Sequence, residues 1–326
     1  MKTILEFKEV SVDFTLPKGI LRASNKVSIV VREGEIIGLV GESGSGKTTL
    51  ASTALGIVSN PGKITEGEIL YNGKDIRKMT KQELNQYRWQ DVAMIFQAAQ
   101  NSMNPILTVK EQFLETVFSH RKDMSTHDII KKATKLLGFV RLNAERVLNS
   151  YPHQLSGGMK QRTIIALSLI LDPKVLILDE PTTALDVITQ SYIFEILKEI
   201  HKNMNITMIM STHDVAVIGS MADRIAVMYA GEVVEIGTVY DIFDNPQHPY
   251  SAGLIHATPS LTDDVSKRRA IKGNPPNLMN RPTGCQFAPR CEMKTAACEK
   301  EAIALQEITQ EHWVRCINYK GAEINE

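Results

Sequence analysis

The sequence predicts an α/β fold: a mixed core sheet, an antiparallel β section near the start, a helical section in the middle and a small irregular extension at the end. Three observations predict it. The stretches 36–40, 175–178 and 206–210 are almost wholly apolar, as strands buried on both faces of a parallel sheet must be. The start of the chain instead alternates apolar and polar residues, the mark of half-buried strands. From about residue 100 to 170 the apolar spacing turns helical, and beyond about 245 the chain becomes proline-rich and irregular.

Taken in order, Leu5, Phe7, Val10, Val12 and Phe14 set the first alternating strand, and 27–31 and 68–71 repeat the pattern. Residues 111–120 and 128–137 have the spacing of amphipathic helices. Residues 225–228 and 233–236 flank Gly231 and predict a late hairpin. A main domain over 1–260, with its helical part at about 100–170, is expected to precede an extension over 261–326.

Composition narrows the function classes. With 37 basic and 37 acidic side chains the formal charge is zero, which argues against a generic nucleic-acid binder. No apolar run approaches the roughly 20 residues that a membrane-spanning helix needs. The opening Met1-Lys2-Thr3-Ile4-Leu5-Glu6 meets an acid too early for a signal peptide, so a cytoplasmic chain is expected, reaching a membrane only through a partner. All four cysteines (Cys285, Cys291, Cys298 and Cys316) lie near the end, a clustering that in a cytosolic chain points to metal or redox chemistry.

The first chemical motif is Gly41-Glu42-Ser43-Gly44-Ser45-Gly46-Lys47-Thr48, a G-x-x-x-x-G-K-[ST] loop that follows an apolar strand. Glycines at Gly41, Gly44 and Gly46 let backbone N–H groups turn inward around phosphate oxygens, with Ser43, Ser45 and Thr49 lining the same loop and helix start. Lys47 is expected on the β- and γ-phosphates and the Thr48 hydroxyl on Mg²⁺. The second motif is the apolar strand 175–178 ending in Asp179-Glu180: Asp179 is placed for the Mg²⁺ shell, Glu180 for orienting the attacking water. Neither motif separates an ATPase from a kinase or a GTPase.

Leu155-Ser156-Gly157-Gly158-Met159-Lys160-Gln161-Arg162 does separate them, because it resembles the signature of ABC-type ATPases, P-loop proteins that energise transport. Around it stand further elements of that family. Gln97 after 92–96 is similar to the glutamine-loop residue, Ala184-Leu185-Asp186 to the loop that touches an opposing subunit, and His213 to the switch histidine. Phe14 stands where the family stacks an aromatic on adenine. The resemblance implies ATP and Mg²⁺ as ligands, with Thr48, Gln97 and Asp179 toward the metal. It also implies Glu180 as catalytic base, with His213 bracing the γ-phosphate. It further implies two subunits closing head to tail, so that Ser156, Gly157, Gly158 and Asp186 of one serve ATP held by the other.

Two stretches narrow the branch. Phe96-Gln97 followed by Asn104-Pro105, and His248-Pro249-Tyr250 with the cysteine tail, resemble the oligopeptide/dipeptide importer group, whose members also carry nickel or oligosaccharides. That group implies two transmembrane permease subunits, a second, non-identical ATPase subunit, an extracytoplasmic solute-binding protein and a place on the cytoplasmic face of the membrane. The C-x5-C-x6-C-x17-C tail is similar to the extension that binds a [4Fe–4S] cluster in dipeptide importers, through Cys285, Cys291, Cys298 and Cys316. Zinc and unligated thiols are the alternatives, zinc being disfavoured by the lack of tight cysteine pairs. The group has proline soon after the third cysteine, where this chain reads Glu299-Lys300-Glu301-Ala302. A soluble ABC ATPase acting on DNA or ribosomes is the rival reading; the chain lacks the long coiled coil or the doubled ATPase unit that such proteins carry.

Overall fold

The computed structural model describes residues 2–183, 185–257 and 271–319, and these form two compact units, Met1–Arg77 with Met210–Glu326, and Lys78–Ile209. The first unit opens with β1 (Thr3–Leu16), β2 (Gly19–Arg32) and β3 (Ile36–Val40), then α1 (Lys47–Thr53), β4 (Gly62–Tyr71) and the short β5 (Lys74–Asp75). The alternating stretches pair as expected: β1 lies between β2 and β4 in an antiparallel sheet ordered β2-β1-β4-β5. Leu5, Val10 and Val27 are fully buried on its inner face. Glu9, at φ 48°, breaks the register between Phe7 and Val10, and Gly67 accommodates the bulge because a Cβ there would meet the Glu9 and Lys8 carbonyls.

The second unit runs through α2 (Lys81–Gln90), β6 (Val92–Ile95), α3 (Val109–His120), α4 (Thr126–Phe139), α5 (Ala144–Leu148), α6 (Gly157–Ser168), β7 (Val175–Asp179) and α7 (Val187–Met204). Its helices start where side chains can satisfy the first backbone N–H groups. Thr80 and Thr108 form capping boxes with Glu83 and Glu111, while Ser125, Asn143, Ser156 and Asp186 cap α4, α5, α6 and α7. Strands β6 and β7 pair in parallel, Val92 to Ile95 against Val175 to Leu178, and every residue of both is buried.

β8 (Thr207–Thr212) carries the chain back to the first unit, where α8 (Val215–Gly219), β9 (Arg224–Tyr229), β10 (Glu232–Thr238), α9 (Val239–Asp244), α10 (Pro249–Ala257), β11 (Gln306–Thr309) and β12 (His312–Val314) follow. The late hairpin is β9–β10, closed by Ala230 and Gly231, both at positive φ, in the two-residue turn that matches strand twist. Strand β3 pairs in parallel with β9, and β12 continues the sheet beyond β10, pairing Val314 with Glu235. Residues from the stretch expected as an appendage thus add edge strands to the sheet of the first unit.

Candidate nucleotide site and cysteine cluster

In the first unit, β3 ends in a loop built for an anion. Gly41, Gly44 and Gly46 take φ of 151°, 77° and 98°. A Cβ on Gly41 would lie 2.1 Å from the Met228 carbonyl, and one on Gly46 2.5 Å from that of Ala23, so neither position admits a side chain. No side chain caps α1, whose Ncap is Gly46. Lys47 is buried and folds back over the loop, its Nζ donating to the Gly41 carbonyl at 2.7 Å, the Glu42 carbonyl at 3.0 Å and Ser45 Oγ at 3.4 Å. The ammonium is therefore held at the centre of the loop by oxygens that an entering phosphate can replace. Ser43, Gly44 and Thr48 are exposed, and Thr49 is half-buried. In the same unit Phe14 is half-buried with its ring against Gly62, and His213 is exposed at the end of β8, before the Asp214 cap of α8.

In the second unit, β7 delivers Asp179 and Glu180 to its end. Asp179 is buried and Glu180 half-buried, in the left-handed region at φ 46°, where a non-glycine residue is held only by its surroundings. Those surroundings include Gln97 Nε2, which donates to Glu180 Oε2 at 2.9 Å, and Thr183 Oγ1, which donates to the same oxygen at 3.0 Å. Gln97 and Glu180, far apart in sequence, are thereby brought together. Ala98, next to Gln97, is also at positive φ, so the backbone turns sharply on both sides of this contact.

The signature stretch and the loop before α7 also meet. Ser156 Oγ accepts from the Met159 N–H at 3.3 Å, and Asp186 accepts from the Thr189 N–H at 2.9 Å and hydroxyl at 2.7 Å. This hydrogen bonding lowers the Asp186 pKa and keeps its carboxyl charged. Two helix N-termini thus border one cavity of about 470 Å³, lined by Ser156, Gly157, Gly158, Arg162, Asp186 and Tyr192 among others. Positive partial charge from the helix ends and the Arg162 guanidinium, 5.3 Å from the Tyr192 ring centroid, share this cavity with the charged Asp186. Gly158 is required for this approach, since a Cβ would come within 2.9 Å of Thr189 Cγ2.

The four cysteines lie within electrostatic reach of one another in the first unit. They sit among polar groups: Cys285 and Cys291 accept from backbone N–H groups, Cys316 Sγ from the Asn318 N–H at 3.4 Å, and Cys298 Sγ from Asn318 Nδ2 at 3.6 Å. Burial nonetheless pushes the Cys285, Cys291 and Cys316 thiols up, the last to about 12. Among the described residues no group of three or more His, Cys, Asp or Glu side chains is arranged to hold a metal ion. The donor type alone, thiol sulfurs that accept N–H donors, is one that soft metals take.

Two residues outside the contiguous motifs also reach the phosphate loop, Arg290 and Tyr250. Arg290 grips the Glu42 carboxylate at 2.8 and 3.0 Å, and Tyr250 Oη accepts from the Glu42 N–H at 2.9 Å. An acidic residue inside a phosphate loop, which needs a cation nearby, was the available signal. Of the described residues, none forms a helix long and apolar enough to cross a membrane.

Comparison with known proteins places the chain in a family. The ABC transporter family matches residues 24–183, and the family of oligopeptide/dipeptide transporter C-terminal regions matches residues 234–298. The chain is 44% identical to the dipeptide transport ATP-binding protein DppD of Caldanaerobacter subterraneus subsp. tengcongensis, over 98% of each chain. It is 41% identical to the oligopeptide transport ATP-binding protein OppD of Escherichia coli, over 94% of this chain and 90% of the relative. Among solved structures it resembles the dimeric bacterial ABC transporter cassette MJ0796. The TM-score there is 0.65 at 31% identity, covering 72% of this chain and 99% of that one. It also resembles cbiO1 of Clostridium perfringens, with a TM-score of 0.63 at 29% identity, over 75% and 92%.

Proposed function

This chain belongs to the oligopeptide/dipeptide branch of the ABC transporter ATP-binding family, and from that premise we propose that it hydrolyses ATP to drive import of peptides through a membrane complex. The observation that carries the reading is the pairing of a complete phosphate loop with near full-length similarity to dipeptide and oligopeptide transport subunits.

In this reading the loop from Gly41 through Ser43, Gly44, Ser45 and Gly46 to Lys47, Thr48 and Thr49 holds the phosphates, and Phe14 stacks on adenine. Mg²⁺, held by Thr48, Gln97 and Asp179, would neutralise phosphate charge. Glu180 orients the water that attacks the γ-phosphorus. As the new P–O bond forms, the bond to the β–γ bridging oxygen breaks, and the water's proton passes toward the carboxylate. Its bond to Gln97 ties the carboxylate to the glutamine loop. His213 braces the γ-phosphate. Ser156, Gly157 and Gly158, with Asp186, present two helix N-termini to ATP held by an opposing ATPase subunit, so that nucleotide closes the pair and hydrolysis releases it.

The partners in this proposal are two permease subunits, a second and non-identical ATPase subunit and, indirectly, an extracytoplasmic solute-binding protein. The chain then sits on the cytoplasmic face of the membrane. Cys285, Cys291, Cys298 and Cys316 hold a [4Fe–4S] cluster with a structural role. What supports iron–sulfur over zinc is the cysteine spacing, which lacks the tight C-x2–4-C pairs that structural zinc sites use. Iron and acid-labile sulfide assays on anaerobically purified protein test this: about four of each per chain is expected, and zinc or no metal contradicts it.

The transport reading is tested by ATP turnover of the assembled complex in lipid, with its binding protein loaded with peptides or with oligosaccharides. Stimulation by peptides supports the proposal. Stimulation by oligosaccharides alone, or by neither, overturns the substrate class.

A further inference from the structure

The four-cysteine region grips the phosphate loop. Arg290 has a side chain only 5% exposed, and its five N–H groups all meet oxygens. Nη1 donates to Glu42 Oε2 at 2.8 Å and Tyr229 Oη at 3.2 Å. Nη2 donates to Glu42 Oε1 at 3.0 Å and the Ile271 carbonyl at 3.4 Å. Nε donates to the Lys272 carbonyl at 2.8 Å. The guanidinium also lies 5.6 Å from the Tyr229 ring and 5.8 Å from that of Phe287.

Glu42 is the second residue of the phosphate loop, and it is fixed at every polar group. Its carboxylate meets Arg290, its N–H meets Tyr250 Oη at 2.9 Å and its carbonyl meets Lys47 Nζ at 3.0 Å. Tyr250 is itself fully buried and packed on Tyr229 and Phe287, with ring centroids 4.6 and 5.4 Å away. Arg290 in turn sits in a tight turn spanned by two cysteines: the Ala288 N–H donates to the Cys285 carbonyl at 3.1 Å, and the Cys291 N–H to that of Ala288 at 3.3 Å. The backbone that carries Arg290 is thereby tied to Cys285 and Cys291.

We propose that Arg290 is a positioning residue for ATP turnover, acting through Glu42, so that the four-cysteine region holds the phosphate loop in its anion-binding shape. Without the arginine, a carboxylate is left uncompensated beside the phosphate site, and the loop loses its side-chain anchor. The Lys47 ammonium is bound to that loop's carbonyls, so a shift of Glu42 moves it too. Lysine cannot replace the arginine, because its point charge does not reproduce a planar two-pronged contact. The proposal rests on the reading of residues 41–48 as the ATP site.

The test is steady-state ATP hydrolysis by the assembled transporter, with KM and kcat resolved for wild type, R290A, R290K, E42Q and R290A/E42Q, and with E180Q as the background. Truncating one side of a part-buried charge pair predicts that R290A raises KM for ATP about five-fold or more while kcat stays within about two-fold. R290K raises KM by about three-fold, and R290A/E42Q is no worse than R290A because both changes remove one contact. An R290A enzyme with KM within about two-fold of wild type overturns the proposal. So does a fall in kcat at unchanged KM, the mark of a subunit that has merely lost stability, or effects that multiply in the double variant. If R290A does not assemble, R290K decides: an unchanged KM overturns the proposal. Wild type no faster than E180Q would refute the ATPase reading itself and is distinguishable from all of these.

Discussion

At the residue scale, single side chains in this protein hold positions that a different residue type cannot. Lys47 is bound by three loop oxygens that phosphate would displace, so Lys47→Ala is expected to weaken ATP binding by about ten-fold or more, read by titration with a fluorescent nucleotide. His248 makes a different demand. It is buried, accepts the Tyr250 N–H at 3.0 Å through Nδ1, and burial lowers its pKa to about 4. Its folded pKa is depressed below the unfolded 6.5, so the unfolded chain binds the extra proton between these values. The stability it contributes is therefore present above about pH 6.5 and is lost as pH falls toward 4, amounting to about 3 kcal/mol at most. Chemical denaturation at pH 7.5, 6 and 5 should show this loss, and His248→Asn, which keeps an acceptor without a titrating group, should flatten the slope. An unchanged slope in that variant would place the acid sensitivity elsewhere.

At the element scale, caps and close packing set the second unit. The box between Thr108 and Glu111 supplies α3 with reciprocal bonds, including Thr108 N–H to Glu111 Oε2 at 2.7 Å, so Thr108→Ala should cost about 1 kcal/mol in denaturant unfolding. Gly158 lies where α6 meets α7, and Gly158→Val should drive Thr189 away and close the cavity at both helix starts. ATP turnover of the assembled complex is expected to collapse in that variant, while nucleotide binding to the separate subunit persists. The elements differ in how far they were legible. Strands β3 and β7 could be read directly, because five consecutive buried positions permit only apolar residues apart from a glycine or a terminal acid. Strands β11 and β12 could not: Gln306–Thr309 is mostly exposed, and it is the distant pairing of Val314 with Glu235, not local pattern, that creates the edge. The site divides the same way. Residues 41–48, 179–180 and 156–158 are contiguous motifs and visible as such. The Arg290 to Glu42 contact joins positions whose proximity only the fold supplies.

At the scale of the whole molecule, the sequence divides at a different place from the compact units. Texture suggests a main domain ending near 260, whereas the compact groups are formed by the two ends of the chain together and by its middle. The C-terminal residues attach to the first unit through β12 and through ion pairs such as Arg32 with Glu311 and Arg281 with Glu232. Such attachment makes the cysteine region part of the body that carries the phosphate loop. Everything proposed for this molecule depends on hydrolysis of ATP with Glu180 as base. Glu180→Gln preserves shape and hydrogen-bonding capacity toward Gln97 and Thr183 while removing basicity. In the assembled complex this variant is expected to bind ATP with wild-type affinity and to hydrolyse it at least about 100-fold more slowly. Turnover near the wild-type rate would rule out Glu180 as the base.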